Sequence, residues 1–580
     1  MNFSEALEKS LACLREIEQV HVLSSSEKQY AGFSTEDAVL QIETEICDRN
    51  YSPLPIRLYL KFSEDFPLSI PSVYAGKKTY EALKYIPHLD TNRLICTFDN
   101  KSYANPDLPA EMAAEVLGRA KRIIEDGIQK QNFSDFEDEF EAYWANGYST
   151  KDSVQRVLTL FQSRITSDFK VIELEDFLLA GRKVVLHDNN SSALELKSFL
   201  QERNLKFKEA DGMYVGSLHC LKEPPFNMTN GEVLTLLEKE KPEEFQRYES
   251  FINQNAGSTY VLFEKKIHEE HKYFGWRHDT TETRLKGLSR PAAKPFQAIR
   301  TVLANKSVKR LWPESYALRR LQNRTAGIEG MSNPRYAFVG LGSIGSHLLY
   351  YLNDKHSVEF RLIDPEILGL ENIGRHLLGA KYVGHAKVEA MRHHLKDLAP
   401  VQPITIRQSS VFKVVQDDPK YLNEADMIVV AIGEPTIEGW LAEKLAEGRI
   451  TKPMVFLWVE PFLLGGHLIY LPPEDVKYKS LFDGEGSFVG NVINKKGYAN
   501  PVVSKQEAGC QTLYTPYSVH DIHWYLGCML AKISDLIKNP SSEMVSYTFV
   551  GNKEIASAER IELSDHVCGI PAGSVIENNG

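Results

Sequence analysis

Apolar residues recur along the chain in two rhythms, and the changes between them divide it. Phe3, Leu7, Leu11, Leu14 and Ile17 fall at helical spacing, which predicts an opening helix with one buried stripe. Alternation follows. Leu40, Ile42, Thr44 and Ile46 in AVLQIETEI share one face of a strand, as do Ile56, Leu58, Leu60 and Phe62 in PIRLYLKF. Then come the proline-punctuated FSEDFPLSIPSVYAG, an irregular segment around Cys96, and the long helical pattern LPAEMAAEVLGRAKRIIEDGIQK. Pro109 stands near the start of that pattern, where its missing N–H costs nothing. Helix, antiparallel strands, loop and helix make residues 1–147 an α+β domain.

Residues 148–300 alternate short strand patterns (FKVIEL, KVVLHD, GMYVGSL, STYVLFEKK) with helical ones such as NGEVLTLLEKEKPEEFQRYESFI, as an α/β domain would. They carry no catalytic motif and end in the loop-like SRPAAKP. Residues 301–580 hold the apolar runs of YAFVGLGSIGSHLLYYL, RLIDPEI, PITIRQ, ADMIVVAIG and PMVFLWVEP, separated by helical segments. That is the pattern of a Rossmann-like, doubly wound parallel sheet. The fold class is multidomain α/β and α+β.

Composition narrows the picture a little. The length of 580 residues suggests about three or four domains. No apolar run reaches the roughly 18 residues of a membrane span, and the charged N-terminus reads as a first helix rather than a signal peptide. A formal net charge of −11 gives no reason to expect nucleic-acid binding. The seven cysteines are scattered and never form C-x-x-C pairs, so neither a disulfide framework nor a cysteine-held zinc is expected, and a reducing cytoplasm is the expected setting.

Between the strand run 336–339 and the helix start at Ser346 lies GLGSIG. Gly340, Gly342 and Gly345 allow a tight turn and let backbone N–H groups approach phosphate at a helix N-terminus. Asp364 follows at about the 20-residue distance where a carboxylate meets ribose hydroxyls. These features alone admit NAD, FAD or ATP.

The stretch LIDPEILGLENIGRHLLGAKYVGHAK resembles the signature of the ThiF/MoeB/ubiquitin-activating superfamily. The resemblance implies that Asp364 binds ribose, with Glu366 as second acid. It implies that Asn372 and Arg375 bind phosphate, and that Gly384 and Lys387 complete the set. Arginine and lysine suit the triphosphate and anionic transition state of adenylation, which makes the ligand ATP. The family's Mg²⁺ ligand is an aspartate; Glu434 stands at the matching place, keeping the charge on a longer stem. An upstream arginine also belongs to the family site; RRLQNR supplies Arg319, Arg320 and Arg324, of which Arg324 is the expected one. Many relatives hold zinc with four cysteines, and none is expected here.

Cys510, in a Cys-x-Thr context just before an apolar helical pattern, resembles the family's acyl-accepting cysteine. A helix N-terminus there would lower its pKa. Cys528 reads as a packed thiol. Near the other end, DFPLSIPSVYAG and YIPHLDTNRLICTF resemble the proline element and active-site segment of ubiquitin-conjugating enzymes. Pro87 matches the proline and Cys96 the acceptor cysteine. His88, eight residues before Cys96, replaces the asparagine that stabilises the oxyanion, and an imidazole N–H offers the same hydrogen bond. Asp90 and Asp99 are candidates for deprotonating an incoming lysine.

Both cassettes on one chain resemble the fused conjugating–activating enzymes of CBASS antiphage operons, as do EFEAYW (139–144) and WVEPFLLGGH (458–467). The resemblance implies a cytoplasmic homodimer that adenylates the C-terminal carboxylate of a cGAS-like nucleotidyltransferase. The acyl group would then pass to Cys510, to Cys96 and to a target amine. Activation of a separate ubiquitin-like protein is the alternative within the same chemistry. An NAD-dependent oxidoreductase and a non-catalytic scaffold are the alternatives outside it.

Overall fold

The alternation in the first region becomes a five-stranded antiparallel meander in the computed structural model, which describes residues 2–50, 52–98, 102–146, 154–219, 221–224, 228–255, 257–267, 270–279, 294–316, 334–353, 358–506, 513–514 and 516–578. Its strands are β1 (Gln19–Val22), β2 (Ala38–Cys47), β3 (Pro53–Phe62), β4 (Ser72–Ala75) and β5 (Leu94–Ile95), neighbours in that order. Leu40, Ile42 and Ile46 of β2 and Ile56, Leu58, Leu60 and Phe62 of β3 all face one core. That core is closed by Ala6 and Leu14 of the helix Phe3–Ile17 and by Val116, Leu117 and Ile124 of the helix Pro109–Gln129. Each buried Val, Leu, Ile or Phe side chain of that core contributes about 1.5–3 kcal/mol by leaving water. Thr44, the polar member of the β2 face, donates to Glu18 at 2.7 Å.

The chain then forms a closed seven-stranded barrel. Its strands are β6 (Val154–Thr159), β7 (Phe169–Leu174), β8 (Val184–His187), β9 (Phe207–Ser217), β10 (Ser258–Ile267), β11 (Glu270–Asp279) and β12 (Lys309–Ser315), ordered β10-β11-β12-β6-β8-β7-β9. Alternate residues separate two cores. Val171, Leu186, Tyr260, Leu262 and Leu311 fill the interior. Met213, Val261, Phe263, Phe274 and Trp276 pack outward against the helices Asn230–Glu240, Pro242–Gln254 and Pro295–Arg300.

Two expectations about this region change. The barrel does not stop at residue 300: β12 pairs with β6 and β11, so Lys309–Ser315 belongs to it and not to the C-terminal domain. The helix Ser191–Glu202, in the sequence between β8 and β9, groups with the C-terminal unit. There Glu202 meets Arg392 and Arg203 meets Asp397, both at 2.5 Å. The two units are thus Met1–Asp188 with Lys206–Ser315, and Asn189–Leu205 with Tyr316–Gly580.

The second unit is built on an eight-stranded sheet. β13 (Arg335–Val339), β14 (Glu359–Ile363), β15 (Ile404–Arg407), β16 (Met427–Val430) and β17 (Met454–Val459) are parallel. β18 (Gly465–Leu471) returns antiparallel. β19 (Lys505–Gln506) and β20 (Leu513–Tyr514) form a separate small ladder. β21 (Val545–Val550) and β22 (Val575–Glu577) extend the main sheet antiparallel. The order β15-β14-β13-β16-β17-β18-β21-β22 makes the sheet mixed where a parallel one was expected, because the chain folds back at the tight turn between β17 and β18 without a crossover helix. Tyr336 and Phe338 of β13 face one core and Ala337 and Val339 the other, so both faces are covered, as in a doubly wound sheet. Among the described residues no helix is long and apolar enough to cross a membrane.

Candidate active sites

β13 and β16 are neighbours, and the chain winds outward from them in opposite directions, so the crevice beyond their C-terminal ends is the topological switch point where such sheets bind ligands. The glycine loop leaves β13 at this point. Gly340 sits at φ +92, and a Cβ there would lie 2.7 Å from the carbonyl oxygen of Ala431. At Gly345 a Cβ would lie 2.1 Å from the oxygen of Gly340. Gly342 faces open space and caps the helix Ser343–Leu352, whose first N–H groups have no partner within the helix. The loop is therefore crowded behind and open in front, a cradle that fits an anionic phosphate.

Asp364 follows β14 and is 4% exposed. Its carboxylate accepts the N–H of Leu341 at 2.7 Å and of Glu366 at 2.8 Å, so it braces the glycine loop as well as standing at its mouth. Burial raises its pKa above the ordinary value despite those bonds. Residues 366–387 fold back on themselves through an Ile367–Ala386 bridge and a Lys387 N–H to Glu366 carbonyl bond of 2.9 Å. That return places Lys387, almost wholly buried, in an ion pair with Glu366. Asn372 accepts the N–H of Gly369 at 2.9 Å. Arg375 lies with its guanidinium 5.2 Å from the ring centre of Tyr517, and its carbonyl accepts Ser343 Oγ–H at 2.7 Å. Asp364, Asn372, Arg375 and Lys387 are thus gathered on the single excursion that follows β14.

Several neighbours carry no signal in the sequence. His376 donates from Nε2 to the Leu341 carbonyl at 2.8 Å and accepts the Leu378 N–H on Nδ1 at 3.0 Å. Burial pushes its pKa down to about 4, so it is a neutral brace. Glu434 is exposed at the N-terminus of the helix Pro435–Ala446. One turn on, Glu438 is 2% exposed and accepts the Gly433 N–H at 3.0 Å. Mg²⁺ binds through one or two carboxylates plus substrate phosphates, and an exposed carboxylate such as that of Glu434 has the chemistry for that role. Cys510, Arg319, Arg320 and Arg324 lie outside the described residues, as does Asp99.

In the first unit Cys96 follows β5 and is exposed. The chain from 88 to 96 doubles back: Cys96 N–H donates to the His88 carbonyl at 2.9 Å, and Asp90 N–H to the Leu94 carbonyl at 2.9 Å. Asp90 also accepts the N–H groups of Asn92 and Leu94, so its carboxylate holds the turn. The protein packed around the thiol, helped by Asp90 and Glu139, raises the Cys96 pKa. His88 stands at φ +63. Its N–H donates to Tyr143 Oη at 2.7 Å, and its Nε2 meets Asp135 at 2.9 Å. Its Nδ1 lies 3.8 Å from Glu139. The structure therefore joins His88 to Cys96 through the main chain and engages its imidazole with carboxylates. Asp135, Glu139 and Tyr143 were not foreseen in this site, although EFEAYW contains two of them.

Residues 30–153 match the model of "Prokaryotic E2 family B", and residues 316–487 match that of the "ThiF family". The chain carries a prokaryotic E2 domain and a ThiF domain. It is 27% identical over 209 residues to the "ATP-dependent ubiquitin transferase-like protein Cap2" of Pseudomonas aeruginosa (strain BWHPSA011 / Pa011), covering 33% of this chain and 34% of that protein. The protein of the same name from Enterobacter hormaechei subsp. hoffmannii (strain UCI 50) is 26% identical over 148 residues, 24% of each chain. The chain thus spans about a third and a quarter of the length of these curated relatives. Among solved structures, that of E. coli MccB with ATP is 14% identical, with a TM-score of 0.27 over 43% of this chain and 63% of that one. Cys96 and His88 fall in the E2 domain, and the glycine loop, Asp364, Arg375 and Lys387 in the ThiF domain.

Proposed function

We propose that the chain is an ATP-dependent ubiquitin-transferase-like enzyme. Its ThiF domain activates a protein carboxylate, and its E2 domain passes the acyl group to an amine. The observation that carries this reading is the pairing, on one chain, of an open phosphate cradle at the switch point with an exposed cysteine in the E2 domain. Both curated relatives are named as transferases of this kind.

ATP, when bound, supplies the adenylyl group to the carboxylate, with loss of pyrophosphate. The helix N-terminus at Gly342, Arg375 and Lys387 would hold its phosphates, Asp364 the ribose, and Glu434 an accompanying Mg²⁺. Lys387 would exchange its pairing with Glu366 for phosphate. The thiolate of Cys510 then takes the acyl carbon, and AMP leaves. Cys96 attacks the same carbon, and the Cys510 sulfur departs with the bonding pair. An amine nitrogen finally forms the amide, and its proton ends on the Cys96 sulfur. Each step exchanges one activated acyl group for another, which divides the barrier. The acyl donor we propose is the C-terminus of a cGAS-like nucleotidyltransferase, handled by a cytoplasmic homodimer.

ATP–pyrophosphate exchange tests the first half. It should persist in Cys96→Ala and Cys510→Ala and vanish in Asp364→Ala. A reducible adduct with the donor protein, lost separately in the two cysteine variants, tests the second. A chain that binds NADH but neither binds nor exchanges ATP overturns the proposal.

A further inference from the structure

The helix Phe140–Asn146 ties the E2 active site to the barrel. On one face Tyr143 accepts the His88 N–H at 2.7 Å, and the His88 carbonyl accepts the Cys96 N–H at 2.9 Å. On the other, Phe140 and Trp144 are fully buried, with Phe140 against Phe274 and Trp144 against Phe263 and Phe274 of the barrel's outer core. Trp144 donates from its indole to the Leu311 carbonyl in β12 at 2.8 Å. Glu141 accepts from Lys272 in β11 at 2.5 Å. A seven-residue helix has little stability of its own in water, so the Tyr143 hydroxyl stands where the packing around the helix puts it: the barrel on one side and, against the Tyr143 ring, Phe136 at 4.8 Å between ring centres. His88 needs such a hold, because a side chain at φ +63 is strained.

We propose that the barrel is a working part of the conjugating site. It places Tyr143, and Tyr143 is a positioning residue that acts through His88 to fix the backbone presenting the Cys96 thiol. This rests on the reading that Cys96 carries an acyl group. In the step concerned, an amine nitrogen bonds the thioester carbon and the C–S bond breaks toward sulfur. The amine proton ends on that sulfur, giving amide and free thiol. The seven-stranded region thereby acquires a function that its lack of catalytic motifs had left open.

The test uses the full chain and a glycine-terminated peptide thioester of 2-mercaptoethanesulfonate, which acylates Cys96 by exchange. Transfer to free lysine is followed by mass spectrometry, with thermal midpoints measured alongside. Tyr143→Phe should lower the saturating rate about tenfold, the worth of one hydrogen bond, and leave the KM for lysine unchanged. Trp144→Phe, on the barrel side, should slow transfer in the same sense. Trp276→Phe lies in the same core, but its indole donates to Tyr248 at 2.9 Å; it should lose comparable stability and keep the wild-type rate. Wild-type rates in Tyr143→Phe and Trp144→Phe, or an equal slowing in Trp276→Phe, overturn the inference. A wild-type chain that passes no acyl group to lysine overturns the functional reading, and this inference with it.

Discussion

The N–H of Cys96 donates to the carbonyl of His88 at 2.9 Å, so the backbone of the exposed thiol is fixed by a residue in the left-handed conformation. Left-handed backbone costs a non-glycine residue about 1–2 kcal/mol. Replacing His88 by glycine should remove that strain together with the imidazole, whereas alanine removes the imidazole and keeps the strain. We expect His88→Gly to be about 1 kcal/mol more stable than His88→Ala in urea unfolding. Equal stability of the two would mean that the turn relaxes and does not hold Cys96.

The glycine loop separates folding from binding in a way that two alanines can read. At Gly345 a methyl would lie 2.1 Å from the Gly340 oxygen, so Gly345→Ala should lose both stability and ATP binding. At Gly342 nothing lies within 4 Å of the added methyl. Gly342→Ala should therefore keep the wild-type melting temperature while its KM for ATP rises about tenfold or more, because the methyl occupies the space a phosphate would enter. Unchanged ATP kinetics in Gly342→Ala would place the nucleotide elsewhere.

These residues show which parts of the molecule are legible in sequence. Gly340 and Gly345 are legible because the backbone path between strand and helix demands glycine there, and Gly342 because it completes the G-x-G-x-x-G spacing. The β2 and β3 faces are legible because one side of each strand is buried. β11 is not: EHKYFGWRHD reads as polar, yet His278 is fully buried, bonded to Asn230 and Tyr248. The antiparallel extension by β18, β21 and β22 is also hidden, since an apolar run does not state its direction. Tyr143 and Asp135 act on His88 across 55 and 47 residues, and no local pattern encodes such a contact.

Glu438 gives the ThiF domain a pH dependence of definite sign. Burial, reinforced by Glu434, pushes its carboxyl up to about 7 from an ordinary 4.5. Between those values the folded chain holds a proton that the unfolded chain has released, so stability falls as pH rises through the window, by about 3 kcal/mol in all. Glu438→Gln keeps an acceptor for the Gly433 N–H and removes the charge. It should be the more stable chain above pH 7, indistinguishable below pH 4.5, and flatter between. A variant less stable than wild type at pH 8 would show that the ionised carboxylate is the favoured form.

Glu460 governs the turn between β17 and β18, within the WVEPFLLGGH segment. It is 2% exposed. One carboxylate oxygen accepts His467 Nε2–H at 2.8 Å and the Val492 N–H at 2.7 Å. The other accepts the Ile493 N–H at 2.8 Å and the Tyr498 hydroxyl at 3.1 Å. Four donors converge on an acceptor-only group, and glutamine offers only one acceptor oxygen. Glu460→Gln turns an NH₂ toward two of those donors, and we expect a loss of about 3 kcal/mol in guanidinium unfolding. Gly465→Ala should lose as much, because its methyl would lie 2.0 Å from the same carboxylate. The turn also reaches the chain after Cys510, the acyl acceptor proposed above, since Phe462 N–H donates to the Pro516 carbonyl at 2.5 Å, six residues further on. Glu460→Gln should therefore slow acyl uptake at Cys510 under conditions where the chain stays folded. A stability loss below about 1 kcal/mol would mean that the four bonds are replaced by water and that Glu460 does not hold the turn.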